Sequence, residues 1–137
     1  MKRHLKSLCA LLLLVMIVNT GFAQKGKTKE KTGVTAKYDA AGPFCNGLAR
    51  VKLNKKWGYI DTTGNVVVAP KYNEVENFSN GMARVRLGQK WGLLDTSGHE
   101  IIKPTFDWIY DFVNGKAKVK LNGQEYYMDT HGNRVDP

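Results

Sequence analysis

A register of 34 residues governs this chain. Phe44, Asn46, Gly47, Ala49, Val51 and Leu53 return as Phe78, Asn80, Gly81, Ala83, Val85 and Leu87, and again as Phe112, Asn114, Gly115, Ala117, Val119 and Leu121. Further along each unit, Asp61, Asp95 and Asp129 are in phase, as are Gly64, Gly98 and Gly132. A fixed period without insertions marks a repeat architecture, in which each unit buries its apolar face only by stacking on a neighbour.

Within a unit the hydrophobic period is two. Ala49, Val51 and Leu53 alternate with Arg50 and Lys52, and the same pattern recurs from Ala83 and from Ala117. Such alternation predicts a strand with one face buried. Asn54-Lys55, Gly88-Gln89 and Asn122-Gly123 supply hairpin turns. A second strand follows from Trp57, Trp91 and Glu125 to Asp61, Asp95 and Asp129. There an Asp-Thr-x-Gly turn closes it, with Asp accepting backbone N–H groups and Gly adopting positive φ. A third strand is expected over 65–69 and 100–103, stopped by Pro70 and Pro104, which donate no N–H. Tyr72, Val75 and Phe78 are spaced by three, as are Phe106, Ile109 and Phe112, which predicts a turn-like or short 3₁₀ connector whose aromatics plug the joint between units. The expected fold is all-β, a repeat array of three-stranded antiparallel meanders with almost no helix in the mature chain. Its units run 44–77, 78–111 and 112–137, after a partial unit that opens at Tyr38.

The N-terminus reads differently. Lys2, Arg3 and Lys6 precede an apolar run from Leu8 to Val18, and Gly21 and Ala23 complete the pattern of a secretory signal peptide over 1–23. The run is shorter than the roughly 20 residues a membrane span needs, so no transmembrane segment is expected after cleavage. Residues 24–37 carry five lysines against one glutamate and read as a disordered basic linker. Cleavage leaves Cys45 as the one cysteine, so a secreted or periplasmic domain over 38–137 is expected to hold without an intrachain disulfide. The formal charge of +9 is mostly in these leading segments. From Tyr38 onward 13 Lys or Arg face 11 Asp or Glu, which gives no argument for nucleic acid as a partner.

Phe-x-x-Gly-x-Ala-x-Val, then Lys-Trp-Gly-x-x-Asp-x-x-Gly, then Pro-x-Tyr, is the pattern the units share. It resembles the WG repeat, also called the KWG repeat, with Lys56, Trp57 and Gly58 and Lys90, Trp91 and Gly92 as the name-giving triplets. The resemblance spans about Tyr38 to Pro137, and the third unit departs from it with Glu125-Tyr126, as a terminal unit does. It implies a β-rich repeat protein, common in bacteria and often exported, that acts as an interaction module with no catalytic residues to carry over.

The residues agree with a non-enzyme. Each Asp-Thr-x-Gly turn offers one carboxylate, short of the oxygen set calcium takes, so turn chemistry accounts for Asp61, Asp95 and Asp129. His99 and His131 lack a second ligand at metal spacing, and Ser79 and Ser97 lack a paired base. No cofactor or metal site is expected. Trp57 and Trp91 read as repeat positions that pack inside, or as exposed faces for sugar rings; the interior reading is the stronger. Trp108 replaces Glu74 and is the better candidate for an exposed aromatic contact. Arg50, Lys52, Arg84, Arg86, Lys118 and Lys120 occupy two equivalent positions per unit. If Ala, Val and Leu of that strand face the core, these six form an outward basic stripe for an anionic partner. The plainer reading pairs them with local acids such as Glu74, Glu76 and Asp111. The sequence therefore predicts an exported, non-enzymatic module engaging a protein partner at the cell envelope, or alternatively an acidic glycan or peptidoglycan.

Overall fold

A computed structural model describes residues 37–137; the ranges read as signal peptide and linker lie outside it, apart from Lys37. The described residues form three antiparallel four-stranded sheets, each a meander in chain order. The first holds β1 (Ala40–Cys45), β2 (Leu48–Leu53), β3 (Lys56–Asp61) and β4 (Val66–Tyr72). The second holds β5 (Glu74–Val75), β6 (Met82–Leu87), β7 (Lys90–Asp95) and β8 (Glu100–Phe106). The third holds β9 (Trp108–Ile109), β10 (Lys116–Leu121), β11 (Gln124–Asp129) and β12 (Arg134–Val135). The all-β repeat array is as the sequence predicts.

Each sheet has one strand more than expected, and it comes from the connector. Instead of a 3₁₀ turn, residues 72–78 are extended, and β5 pairs with β6 through Glu74 with Arg86 and Val75 with Val85. The cause is an Asn-Gly pair in every unit. Asn46 and Gly47 have φ of 52° and 80°, and Asn80-Gly81 and Asn114-Gly115 repeat this, the geometry of a type I′ hairpin turn. That turn folds the connector back onto the following strand.

Pro70 and Pro104 do not end their strands either. Trp57 pairs with Tyr72 and Tyr59 with Val68, so two residues on β3 oppose four on β4. The excess is a bulge that carries the proline outside the ladder, where its missing N–H costs nothing. The bulged backbone lies across Gly58: a Cβ there would sit 2.2 Å from the Val68 carbonyl oxygen and 2.7 Å from the Pro70 nitrogen. Gly92 meets Ile102 and Pro104 in the same way, at 2.5 and 2.7 Å. The glycine of Trp-Gly is thus a steric requirement of the bulge. Tyr126 replaces it in the third sheet, where β12 pairs with β11 without a shift of register.

The sheets stack, and the core lies between them. Leu48, Tyr59, Val68 and Tyr72 of the first sheet meet Val75, Phe78, Ala83, Val85 and Leu94 of the second. Leu93, Ile102 and Phe106, from the other face of the second sheet, meet Ile109, Ala117, Val119 and Met128 of the third. The middle sheet is therefore covered on both faces, not one. The outer face of the first sheet, Ala49, Val51 and Ile60, is covered by Tyr38, which stands 34 residues before Tyr72. The outer face of the third is polar: exposed Lys116 stands where Leu48 and Met82 pack, and exposed Asp136 where Val68 and Ile102 are buried. Lys116 Nζ donates to the Asp136 carbonyl oxygen at 3.0 Å. Charge at these two positions ends the stack. Cys45 is buried at 2% exposure, as expected of a small filler. It is disulfide-bonded in the full-length chain, whereas the expectation of a fold without a disulfide concerns the chain after cleavage.

Candidate interaction surface

Because β2 and β6 alternate, their cations share a face with the residues that pack on the next sheet, whereas those of β10 share the outer face of the third sheet with Lys116. Arg50 sits directly across from Tyr59, and Lys52 across from Trp57. Arg50, Lys52, Arg84 and Arg86 consequently lie at the rims of the two joints between sheets, where neighbours reach them, while Lys118 and Lys120 lie on the outer face of the third sheet. Arg84 is the clearest case. Its Nε donates to Glu76 Oε2 at 2.7 Å, Nη1 to the Ile109 carbonyl at 2.7 Å, and Nη2 meets Asp111 Oδ1 at 2.9 Å. Its side chain keeps only 18% of its exposure. Arg86 pairs with Glu74 and donates to the Gly88 carbonyl at 2.7 Å.

The other two sheets hold the same cations in different company. In the third, Lys118 pairs with Glu125, which holds the lysine pKa up and the carboxyl pKa down. Lys118 also lies 6.0 Å from the Tyr110 ring, and exposed Lys120 stands opposite Trp108. In the first, Arg50 and Lys52 have no acidic partner among the described residues. They lie over the Trp57 ring at 5.3 and 5.5 Å, and Arg50 Nη1 reaches the Val75 carbonyl only at 3.4 Å. The acids that clasp the second sheet's cations come from residues 74 and 76. Their counterparts are Ala40 and Gly42 in the first sheet, Trp108 and Tyr110 in the third. Between 40 and 72 five Lys or Arg face one Asp, whereas between 74 and 106 four face four. Uncompensated positive charge is concentrated on the first sheet.

The repeat tryptophans separate along the same line. Trp91 is buried, because Trp108 covers it edge-on from the next sheet, with centroids 5.0 Å apart at 77°. Trp57 has Glu74 in that place and is half-buried under its two cations. Trp108 is exposed at 38%, with Tyr110 and Val113 exposed beside it. Tyr110 and Val113 line a groove of about 300 Å³ together with Glu76, Asn77, Arg84 and Asp111. Tyr110 and Val113 escaped the sequence reading. Aligning the units reveals them, since they replace Glu76 and Ser79.

The turn carboxylates act within their own loops. Asp61 Oδ1 accepts from the Thr63 hydroxyl at 2.6 Å, the Thr63 amide at 2.9 Å and the Asn65 amide at 3.0 Å. Asp95 does the same with Ser97 and His99, and Asp129 takes the His131 and Asn133 amides. These bonds, that of the Thr63 or Ser97 hydroxyl foremost at Asp61 and Asp95 and that of the Asn133 side-chain amide foremost at Asp129, hold the three carboxyls below the usual range. Phe44 and Phe112 pack half-buried at equivalent places, and Phe78 is buried against Tyr59, ring centroids 4.8 Å apart. Among the described residues no three His, Cys, Asp or Glu gather where a metal ion would be held, and no helix is long and apolar enough to cross a membrane.

No significant match was found among curated proteins or among solved structures. A family model described as the WG containing repeat matches three consecutive stretches, 27–57, 57–91 and 91–124. Its frame runs from Trp57 to Trp91, cutting the same period at the bulge-facing Trp-Gly, and it starts inside the stretch read as a linker. With these matches joined end to end over most of its length, the chain belongs to the WG containing repeat family.

Proposed function

We propose that this is an exported, non-catalytic interaction module that holds a protein partner at the cell envelope, with its contacts at the rims of the joints. The observation that carries this reading is the variation of the rim on a constant scaffold. Buried positions 49, 51, 83, 85, 117 and 119 keep one residue type each, while 40, 74 and 108 read Ala, Glu and Trp. A scaffold that holds its core and changes its surface is suited to binding, and exposed aromatic residues beside arginine are what interfaces favour. Export rests on the leading residues 1–23, which have the composition of a signal peptide.

The test is capture from an envelope extract with the chain as bait, washed at low and then high salt. A specific protein retained at low salt and lost at high salt, and lost with Arg50→Gln/Lys52→Gln, supports the module and a role for the cations. The exposed Trp108–Tyr110 pair, ring centroids 6.4 Å apart, favours a second reading, an acidic glycan or peptidoglycan. Salt-insensitive glycan retention that disappears with Trp108→Ala would establish it instead. Intact mass of the chain recovered from the envelope fraction tests export, with an N-terminus at Gln24 expected. Turnover in a hydrolase assay would overturn the non-catalytic reading.

A further inference from the structure

The second sheet displays what its cation pair binds. Arg84 and Arg86 are two residues apart on one strand, and so are the glutamates that meet them, Glu76 and Glu74. Same-face positions on a strand recur about every 7 Å, so two carboxylates on an extended segment fit two cations on another. A third carboxylate, Asp111, closes the arrangement from the next sheet.

The first sheet keeps the cations and drops all three acids. Ala40 stands for Glu74, Gly42 for Glu76, and Asn77 for Asp111. The loss leaves marks. Arg50 Nε is buried with no acceptor, and Asn77 Oδ1 is buried with no donor. A Cβ on residue 42 would lie 2.8 Å from Arg50 Cγ and 2.9 Å from Nε, so the arginine stem occupies the space a side chain would take. Lys55 and Lys56, in and beside the adjoining turn, add charge of the same sign.

We infer that Arg50 and Lys52, backed by Trp57, form a docking site for an extended acidic segment of a partner protein, with two carboxylates in alternate positions. This deepens the reading of the domain as an interaction module and rests on it. The ligand supplies from outside what Glu74 and Glu76 supply from within. Arg50 donates to one carboxylate and Lys52 to the other, while the half-buried indole holds both side chains in place by cation–π attraction. The third sheet is no rival site for this ligand, because Lys118 already holds Glu125 and Trp108 stands against Lys120.

The probe is a capped, fluorescently labelled peptide, Asn-Glu-Val-Glu-Asn, titrated into the full chain, with Asn-Gln-Val-Gln-Asn as its control. The glutamate peptide is expected to bind in a salt-sensitive way and the glutamine peptide not to bind. Arg50→Gln/Lys52→Gln should weaken binding about tenfold or more, the scale of losing charge-assisted hydrogen bonds. Ala40→Glu/Asn77→Asp installs acids at the second sheet's positions and should weaken it similarly, with an unchanged or raised Tm that rules out misfolding. Lys118→Gln/Lys120→Gln should leave it unchanged. Absence of binding, equal binding by wild type and both first-sheet doubles, or preference for a polyuronate at equal carboxylate concentration would overturn the site. If the extract partner is still captured by both first-sheet doubles, the site falls while the module stands. If the peptide binds as expected but the extract yields no partner, it is the module reading that fails.

Discussion

The two joints of this array are made on one register and sealed by different chemistry. At the first, two phenols cross the boundary: the Tyr59 hydroxyl donates to the Glu76 carbonyl at 2.5 Å and the Tyr72 hydroxyl to Glu100 Oε1 at 2.7 Å. Burial pushes both phenols well above their usual pKa. At the second, the equivalent residues are Leu93 and Phe106, which have nothing to donate. Its polar closure has moved to the rim, where Arg84 ties Glu76, Asp111 and the Ile109 carbonyl together, and its aromatic closure is Trp108 laid against Trp91. Thus the first joint is hydrogen-bonded inside and open at its edge, while the second is apolar inside and clasped at its edge. A repeat period fixes where two sheets meet without fixing how the meeting is secured.

Substitutions at matched positions will break or sharpen this contrast. The largest difference is expected at the sealing phenylalanines. Phe78→Ala, at a fully buried site, should cost about 3–4 kcal/mol in chemical denaturation, within the usual range for a buried phenylalanine. Phe112→Ala, half-buried, should cost roughly half that, and equal losses would show the joints to be sealed alike. Next come the matched arginines: Arg84→Ala should cost about 1–2 kcal/mol, since it leaves the carbonyl of buried Ile109 without its donor, and Arg50→Ala less than about 1 kcal/mol. Tyr59→Phe should cost about 1 kcal/mol, the worth of one buried hydrogen bond, where Leu93→Met should be close to neutral.

The smallest effect concerns acid. The Glu100 carboxyl is held below its usual range, first by the Tyr72 hydroxyl and then by Lys71. A carboxylate whose folded pKa is lowered stabilises above its unfolded value, about 4.3 for glutamate, and that contribution disappears as pH falls through the folded value. Acid should therefore loosen the first joint through Glu100, and Glu100→Gln should flatten the pH profile of stability below about pH 4.3 by a few tenths of a kcal/mol. A profile unchanged by the substitution would remove Glu100 from the first joint's account.

What the sequence made legible was whatever repeats without variation. The alternation at Ala49, Val51 and Leu53 located the strands, and Asp-Thr-x-Gly located the turns. Asn46-Gly47 carried an equally strong hairpin signal, but the three-residue spacing of Tyr72, Val75 and Phe78 imitated a helical turn and obscured it. The prolines misled because a bulge frees them from the ladder, and a bulge is a property of two paired strands that one strand's residues do not display. The rim was the least legible part. The company of Arg84 and Arg50 includes residues 25 to 27 positions away on the next sheet, Ile109 and Asp111 for one and Val75 for the other, so a period-two pattern read along one strand assigns the face but not the company it meets there.

Lys116 and Asp136 bear on how such an array grows. A copy of the third unit added after itself would confront an ammonium and a carboxylate where the stack needs leucine and valine, and Tyr126 would occupy the path of any bulged proline strand paired beside it. A copy of the second unit inserted at the centre meets compatible faces on both sides. An array on this plan is accordingly lengthened by multiplying the middle, and every added middle unit creates one more joint whose rim is open to a new choice of side chains.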